Sequence, residues 1–326
     1  MLSAACLIFD SIPAMVKLTL NQWGDSRFAI DEWQPATADH VHAMTHQKPD
    51  HTASGLLTRR QTIQSLAAAT LAAASPFALP AAAEAASVKD VSYGANTLDI
   101  HLPANAANAA NAPVLAFVHG GAWRAGDKGK IGAKARYFTK KGFVFVSIGY
   151  TLYPRANAEQ QAVQVAQAVN WVKQNISRYG GNGDRLALMG HSAGCHLSSL
   201  ATLSGACTPK LLICNDTGAY DIAYLARLND GKVPGLYSAL NRKNKWKRWS
   251  PISYVNNREQ PPTLVMWSGG RNRDKISARF ADALAAAGAP VSRFDGSSYN
   301  HLSINSSIGR DGSSVTEAVV RFLSKL

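Results

Sequence analysis

The 326-residue chain is poor in several things, and each shortage closes off a class of function. It holds four cysteines, no C-x-x-C pair, and no His/Cys cluster at metal-ligand spacing, so no metal is expected; nor is an organic cofactor. Acidic residues are scarce: 21 Asp and Glu against 34 Lys and Arg leave a net charge of +13. Such an excess can serve nucleic acid or an anionic membrane. No helix-turn-helix, zinc-finger or RNA-binding signature accompanies it. The densest basic run, "NRKNKWKRWS" at 241–250, reads as a solvated loop whose tryptophans tuck into the body. Nucleic acid is therefore not an expected partner. With 46% hydrophobic and 17% charged residues, the composition is that of an ordinary globular protein.

A clean membrane span is also missing. The nearest thing is "LTRRQTIQSLAAATLAAASPFALPAAAEAAS", where Gln64, Ser65, Thr70 and Ser75 interrupt the apolar run. Its layout is instead that of a twin-arginine export signal. Arg59 and Arg60 precede a modest apolar stretch, and small residues offer cleavage after Ala83 or Ala85. Fifty-eight residues before the arginine pair are too many for an n-region. A start at Met44 removes the difficulty, which makes residues 1–43 a misannotated or disordered extension, 44–85 the signal and 86–326 the exported domain. The expected location is the periplasm or the medium, with no stable membrane insertion after cleavage. There Cys207 and Cys214 are free to bridge or to stay buried thiols.

Beyond the signal, short apolar runs alternate with helical patterns. "TLDIHLP" alternates like a half-exposed strand, whereas "APVLAFVHG" and "GFVFVSIGY" are continuous, as strands buried on both faces are. Residues 157–178 place Ala162, Val165, Ala166, Val169 and Val172 on one helical face. "RLALMG", "KLLIC", "PTLVMW" and "VSRF" read as further strands, and "SARFADALAAAG" and "SSVTEAVVRFLSKL" as helices. Gly180–Gly181 and Gly288 fall where helix ends are capped. The pattern predicts an α/β fold with a mainly parallel sheet flanked by helices, and a small irregular cap from about 223 to 260.

Within that pattern, "LMGHSAGCHL" at 188–197 sets Ser192 between Gly190 and Gly194, after a strand and before a helix. This is the layout of a nucleophile elbow, in which small residues permit a sharp reversal that lifts the serine hydroxyl to a helix N-terminus. An oxyanion formed there needs donors already in place. Ala193 supplies one N–H, and Gly120 and Gly121 of "FVHGGAWRAGDK" are expected to supply others. His119 reads as structural, and Trp123 either as a substrate wall or as packing. The base is His301 in "SSYNHLSIN", since the other eight histidines lie too early or occupy motif positions. The orienting acid is expected in the loop after "PTLVMWSGG", with Asp274 the first choice. Asp295 and Asp221 are weaker candidates.

In these motifs residues 88–326 resemble the α/β-hydrolase superfamily, in particular exported esterases with an HGGxW oxyanion motif, related to feruloyl-esterase-like and kynurenine formamidase branches. The carrying residues are "HGGAW…GDK" at 119–128, "YTLYP" from Tyr150, "GHSAG" at 190–194 and "HLSIN" at 301–305. Thr151 and Cys195 depart from the pattern, and the resemblance implies an acid position after the glycines that follow the penultimate strand, where Asn272 aligns as the alternative to Asp274. The resemblance implies a small carboxylic ester as substrate. A formamide is the alternative, and a non-catalytic module binding a polymer through the basic run is a third.

Overall fold

The computed structural model describes residues 86–104, 111–256 and 259–326. The expected export signal and the first 43 residues lie outside them. Among the described residues no helix is long and apolar enough to cross a membrane.

Among the described residues eight strands form one sheet in the order β1-β2-β4-β3-β5-β6-β7-β8. Two short strands, β1 (Ser87–Ser92) and β2 (Thr97–His101), make an antiparallel hairpin, and β2 pairs antiparallel with β4. The rest is parallel: β3 (Ala112–Val118), β4 (Val144–Ile148), β5 (Gly181–His191), β6 (Leu211–Asn215), β7 (Thr263–Ser268) and β8 (Val291–Gly296). Parallel strands need crossovers, and helices supply them. On one face of the sheet pack α2 (Ala158–Asn175), α3 (Ala193–Leu203) and α6 (Arg273–Ala286). On the other pack α1 (Lys134–Lys140) and α8 (Ser314–Leu323). The central strand β3 serves both: Val114, Ala116 and Val118 face the first layer, Leu115 and Phe117 the second. Its unbroken apolar run follows from that double burial.

The remaining helices are short: α4 (Ile222–Arg227), α5 (Trp246–Trp249) and α7 (Ser303–Ser306). In α2 a capping box closes the start, with the Asn157 side chain accepting from Glu159 and Gln160 while Gln160 returns a bond to Asn157. Gly180 ends the following turn in the left-handed conformation, and Gly288 does the same after α6.

Two expectations need correction, and one open alternative is decided. The strand β2 is not half exposed: Leu98, Asp99 and Ile100 are all buried. Asp99 alternates in sequence like a surface residue, but Lys128 places its ammonium 2.7 Å away and Lys89 a second one at 3.2 Å. Of the two states left open for Cys207 and Cys214, the buried thiol is the one found: Cys195, Cys207 and Cys214 are all free and buried. The 223–260 segment is less irregular than its sequence: α4, α5 and several 3-10 turns build it. It grips the body through Trp249, whose carbonyl accepts from His196 Nε2 at 2.7 Å, while Trp246 Nε1 donates to Leu240 O at 3.0 Å. Its cations at 242, 243, 247 and 248 are exposed.

Candidate active site

The centre of the sheet delivers Ser192. The strand β5 ends at His191 and α3 starts at Ala193, so one residue makes the whole reversal, with φ 57° and ψ −119°. A non-glycine residue at positive φ is strained, and strain of this kind gathers at functional sites. The flanking glycines are needed for room. A Cβ on Gly190 would stand 2.3 Å from Gly194 O, and one on Gly194 would stand 2.2 Å from Val118 O. The backbone N–H of Ser192 donates to Asn215 O at 3.1 Å, which ties the elbow to the tip of β6.

His301 follows β8 and reaches back over the elbow. Its Nε2 lies 2.9 Å from Ser192 Oγ, and its Nδ1 lies 2.6 Å from Asp216 Oδ2. The tautomer that satisfies both carries its proton on Nδ1 and accepts from the serine hydroxyl.

The acid beside His301 is therefore Asp216 and not Asp274. It follows β6, one strand earlier than the expected loop, and is fully buried with φ 56°. Ser268 donates to it twice, from Oγ at 2.6 Å and from its backbone N–H at 3.2 Å, and Arg273 Nη1 lies 3.4 Å away. Burial alone would raise the Asp216 pKa. The hydrogen bond from His301, the Arg273 charge and the Ser268 hydroxyl outweigh it and hold the carboxyl below the usual range. The other candidates have different work. Asp274 sits exposed in the first turn of α6, where it complements the helix dipole. Asn272 precedes that helix in a left-handed conformation without capping it. Asp221 caps α4 and pairs with Arg279 at 3.1 Å, and Asp295 accepts from Ser297 N at 2.9 Å.

The glycine loop after β3 presses on the elbow from the other side. A Cβ on Gly120 would meet Ser192 Cβ at 2.9 Å, so only glycine brings the backbone so near. Gly121, at φ 132°, turns the loop, and its carbonyl accepts from Arg124 and Ala125. Gly120 thus lies against Ser192, Ala193 follows that serine in the chain, and Gly121 turns the loop beside Ala125. His119 belongs to the scaffold. Its Nδ1 donates to Gly120 O at 2.8 Å, its carbonyl accepts from Tyr150, and its ring stacks on Tyr150 at 4.4 Å. Trp123 is packing rather than an open wall, with 1% of its surface exposed. Its indole N–H donates to His196 Nδ1 at 3.2 Å, and its ring lies 5.5 Å from that of Tyr237.

His191 holds a place that its motif position does not announce. Its Nε2 donates to His301 O at 2.9 Å, and the two rings lie 4.7 Å apart. Burial, then the neighbouring His301 charge, pushes the His191 pKa down to about 3, so this ring is neutral at ordinary pH. Among the described residues no group of three His, Cys, Asp or Glu is placed to hold a metal ion.

A mostly parallel sheet with a serine on a strand-to-helix elbow, flanked by a histidine and a buried aspartate from later loops, gives the chain the α/β-hydrolase fold. Its fold matches that of esterase B from Lactobacillus rhamnosis with a TM-score of 0.60, at 19% identity over 75% of this chain and 85% of that one. Residues 98–224 match the BD-FAE family. It is 33% identical to esterase LipQ of Mycobacterium tuberculosis over 63% of this chain and 54% of that protein. It is 26% identical to the kynurenine formamidase of Danio rerio over 72% of this chain and 82% of that protein. The chain thus spans about half the length of the first of these relatives.

Proposed function

We propose that the chain is an exported serine carboxylesterase that hydrolyses small carboxylic esters through an acyl-enzyme intermediate. The observation that carries this reading is the unbroken line from Ser192 Oγ through the His301 ring to Asp216, at 2.9 and 2.6 Å. As Ser192 Oγ attacks an ester carbonyl, His301 Nε2 takes its proton. Asp216 holds the imidazole by Nδ1 and stabilises its protonated form, while Ser268 and Arg273 keep that carboxylate ionised. The N–H groups of Ala193, Gly120 and Gly121 receive the negative charge on the carbonyl oxygen. His301 then returns the proton to the leaving alcohol. A water deprotonated by the same ring cleaves the acyl-enzyme, releases the acid and frees Ser192.

The twin-arginine layout at Arg59 and Arg60 supports export, and sequencing the N-terminus of the secreted protein tests it. A mature chain that begins beyond residue 80 is expected. One that retains the arginine pair contradicts the reading.

A formamide is the second reading, because the similarity to a kynurenine formamidase spans most of that protein. Turnover of phenyl acetate and of formanilide by one preparation separates the two. The ester reading expects the first to be hydrolysed at least a hundredfold faster.

A further inference from the structure

Above the C-terminal ends of β6 and β7 lies a cavity of about 670 Å³. It adjoins the residues just described. Its wall at Gly218 stands two residues beyond Asp216, and its wall at Arg273 is the guanidinium beside that carboxylate. Tyr237 closes another side: its hydroxyl accepts from Gly218 N at 3.1 Å, and its ring packs against Trp123 in the glycine loop. Neighbouring strands are about 4.8 Å apart, so an opening above β6 and β7 lies on the order of 5–10 Å from a serine on β5. A chain of about six carbons covers that distance.

The lining has a distinct chemistry. Leu225, Leu228 and Ile276 make it apolar, Arg271 and Arg273 make it cationic, and among the described residues no aspartate or glutamate lines it. Arg273 already faces Asp216. Arg271 is exposed and forms no ion pair with any described carboxylate. Both guanidiniums act on the Tyr237 hydroxyl, opposing the rise in pKa that burial imposes on it. A neutral hydrocarbon would gain nothing from them. A carboxylate would, because the planar fork of arginine matches its two oxygens, and charge-assisted bonds of this kind are stronger than neutral ones.

We propose that this cavity is a carboxylate subsite centred on Arg271, and that the preferred substrates are esters bearing an acid group at the end of a short apolar chain. The proposal rests on the esterase reading and names the substrate class for the same serine. The hydrocarbon spacer lies along Leu225, Leu228 and Ile276, and the terminal carboxylate meets Arg271. The acid group takes no part in bond breaking; it orients the ester.

The test uses two matched pairs, one with the acid on each side of the ester bond. Hydrolysis of monoethyl adipate is compared with that of ethyl hexanoate, and 6-butyryloxyhexanoic acid with hexyl butyrate, by pH-stat. One acidic ester is expected to exceed its neutral partner in kcat/KM by about tenfold or more. In Arg271→Gln that ratio is expected to fall toward one, while Arg271→Lys retains part of it. Neutral esters hydrolysed with no preference in either pair, or a preference that survives Arg271→Gln, would overturn the subsite. Failure to hydrolyse any of the four would count against the esterase reading instead. Calorimetric titration of the acidic esters into Ser192→Ala then reads the subsite without turnover. At least tenfold weaker binding of one of them on adding Arg271→Gln is expected, and equal binding refutes the proposal.

Discussion

His191 donates from Nε2 to the main-chain carbonyl of His301, 2.9 Å away, and the next residue in the chain, Ser192, lies 2.9 Å from the ring of that same His301. The proposed nucleophile and base, 109 residues apart in sequence, are thus joined by one buried side chain. Replacing His191 by Phe keeps much of the ring volume and removes the donor. The expected result is a fall in kcat of roughly tenfold to a hundredfold with KM little changed, since about 1 Å of misplacement can cost that much. His191→Gln, which restores an N–H, is expected to recover part of the loss. Parallel melting curves separate positioning from unfolding: a Tm that drops with both kinetic constants would assign His191 to stability alone.

Asp216 is the second position to test. Asp216→Asn keeps the volume but removes the charge and, with Oδ1 held by Ser268 and Arg273, turns a donating NH₂ toward His301, which selects the wrong tautomer. Such a change is expected to cost about 10⁴ in kcat. Asp274→Asn, on the exposed first turn of α6, is expected to leave kcat within about twofold. The reverse ranking, measured with one ester substrate, would return the role to Asp274.

The elbow makes a prediction about stability. A methyl group on Gly194 would collide with the carbonyl of Val118 in β3, a backbone atom that cannot turn aside. Gly194→Ala is expected to lose on the order of 4 kcal/mol or to fail to fold. Gly231→Ala meets no atom within 4 Å, although φ is +76°, so its expected cost is the left-handed penalty of about 1–2 kcal/mol. Chemical denaturation of the two variants reads the difference directly.

Burial of neutral histidines sets the pH dependence of stability. Burial drives His191 down to about 3 and His196 to about 4, against an ordinary value of 6.5. The unfolded chain therefore binds more protons than the folded one between 6.5 and those values, and stability rises with pH across that window. It is complete above 6.5 and lost progressively in acid. Asp216 adds to the loss below its ordinary 3.8, because its folded pKa is depressed as well. Tm is expected to hold between pH 7.5 and about 6.5 and to fall from there to pH 4. A flat Tm between pH 7.5 and 5 would contradict charge exclusion at these rings.

Much of this site is local in sequence, and the parts that are not escape a reading of the chain. Gly190, Ser192, Gly194 and the glycines at 120 and 121 stand within a few residues of the strand ends that present them, so their spacing is enough to place them. Asp216 has no such signature. An aspartate after any parallel strand looks the same in sequence; what selects this one is Ser268, Arg273 and His301, which are 52, 57 and 85 residues away. Asp99 misled for the same reason, since its partner Lys128 lies 29 residues on. The helix α1 was hidden by its lysines. Lys134 looks like a surface residue, yet it is buried with its ammonium donating to Asn305 O at 2.9 Å, across 171 residues. Periodicity reports which face of an element is apolar. It does not report a buried charge that has found its partner elsewhere.

The central claim is that Ser192 is a nucleophile activated by His301. Exposure of the protein to a fluorophosphonate, followed by intact-mass and peptide mass spectrometry, tests it most directly. The account predicts one adduct per chain, located on Ser192, absent from Ser192→Ala and strongly slowed in His301→Gln. An unmodified protein, or an adduct on any other residue, would contradict it.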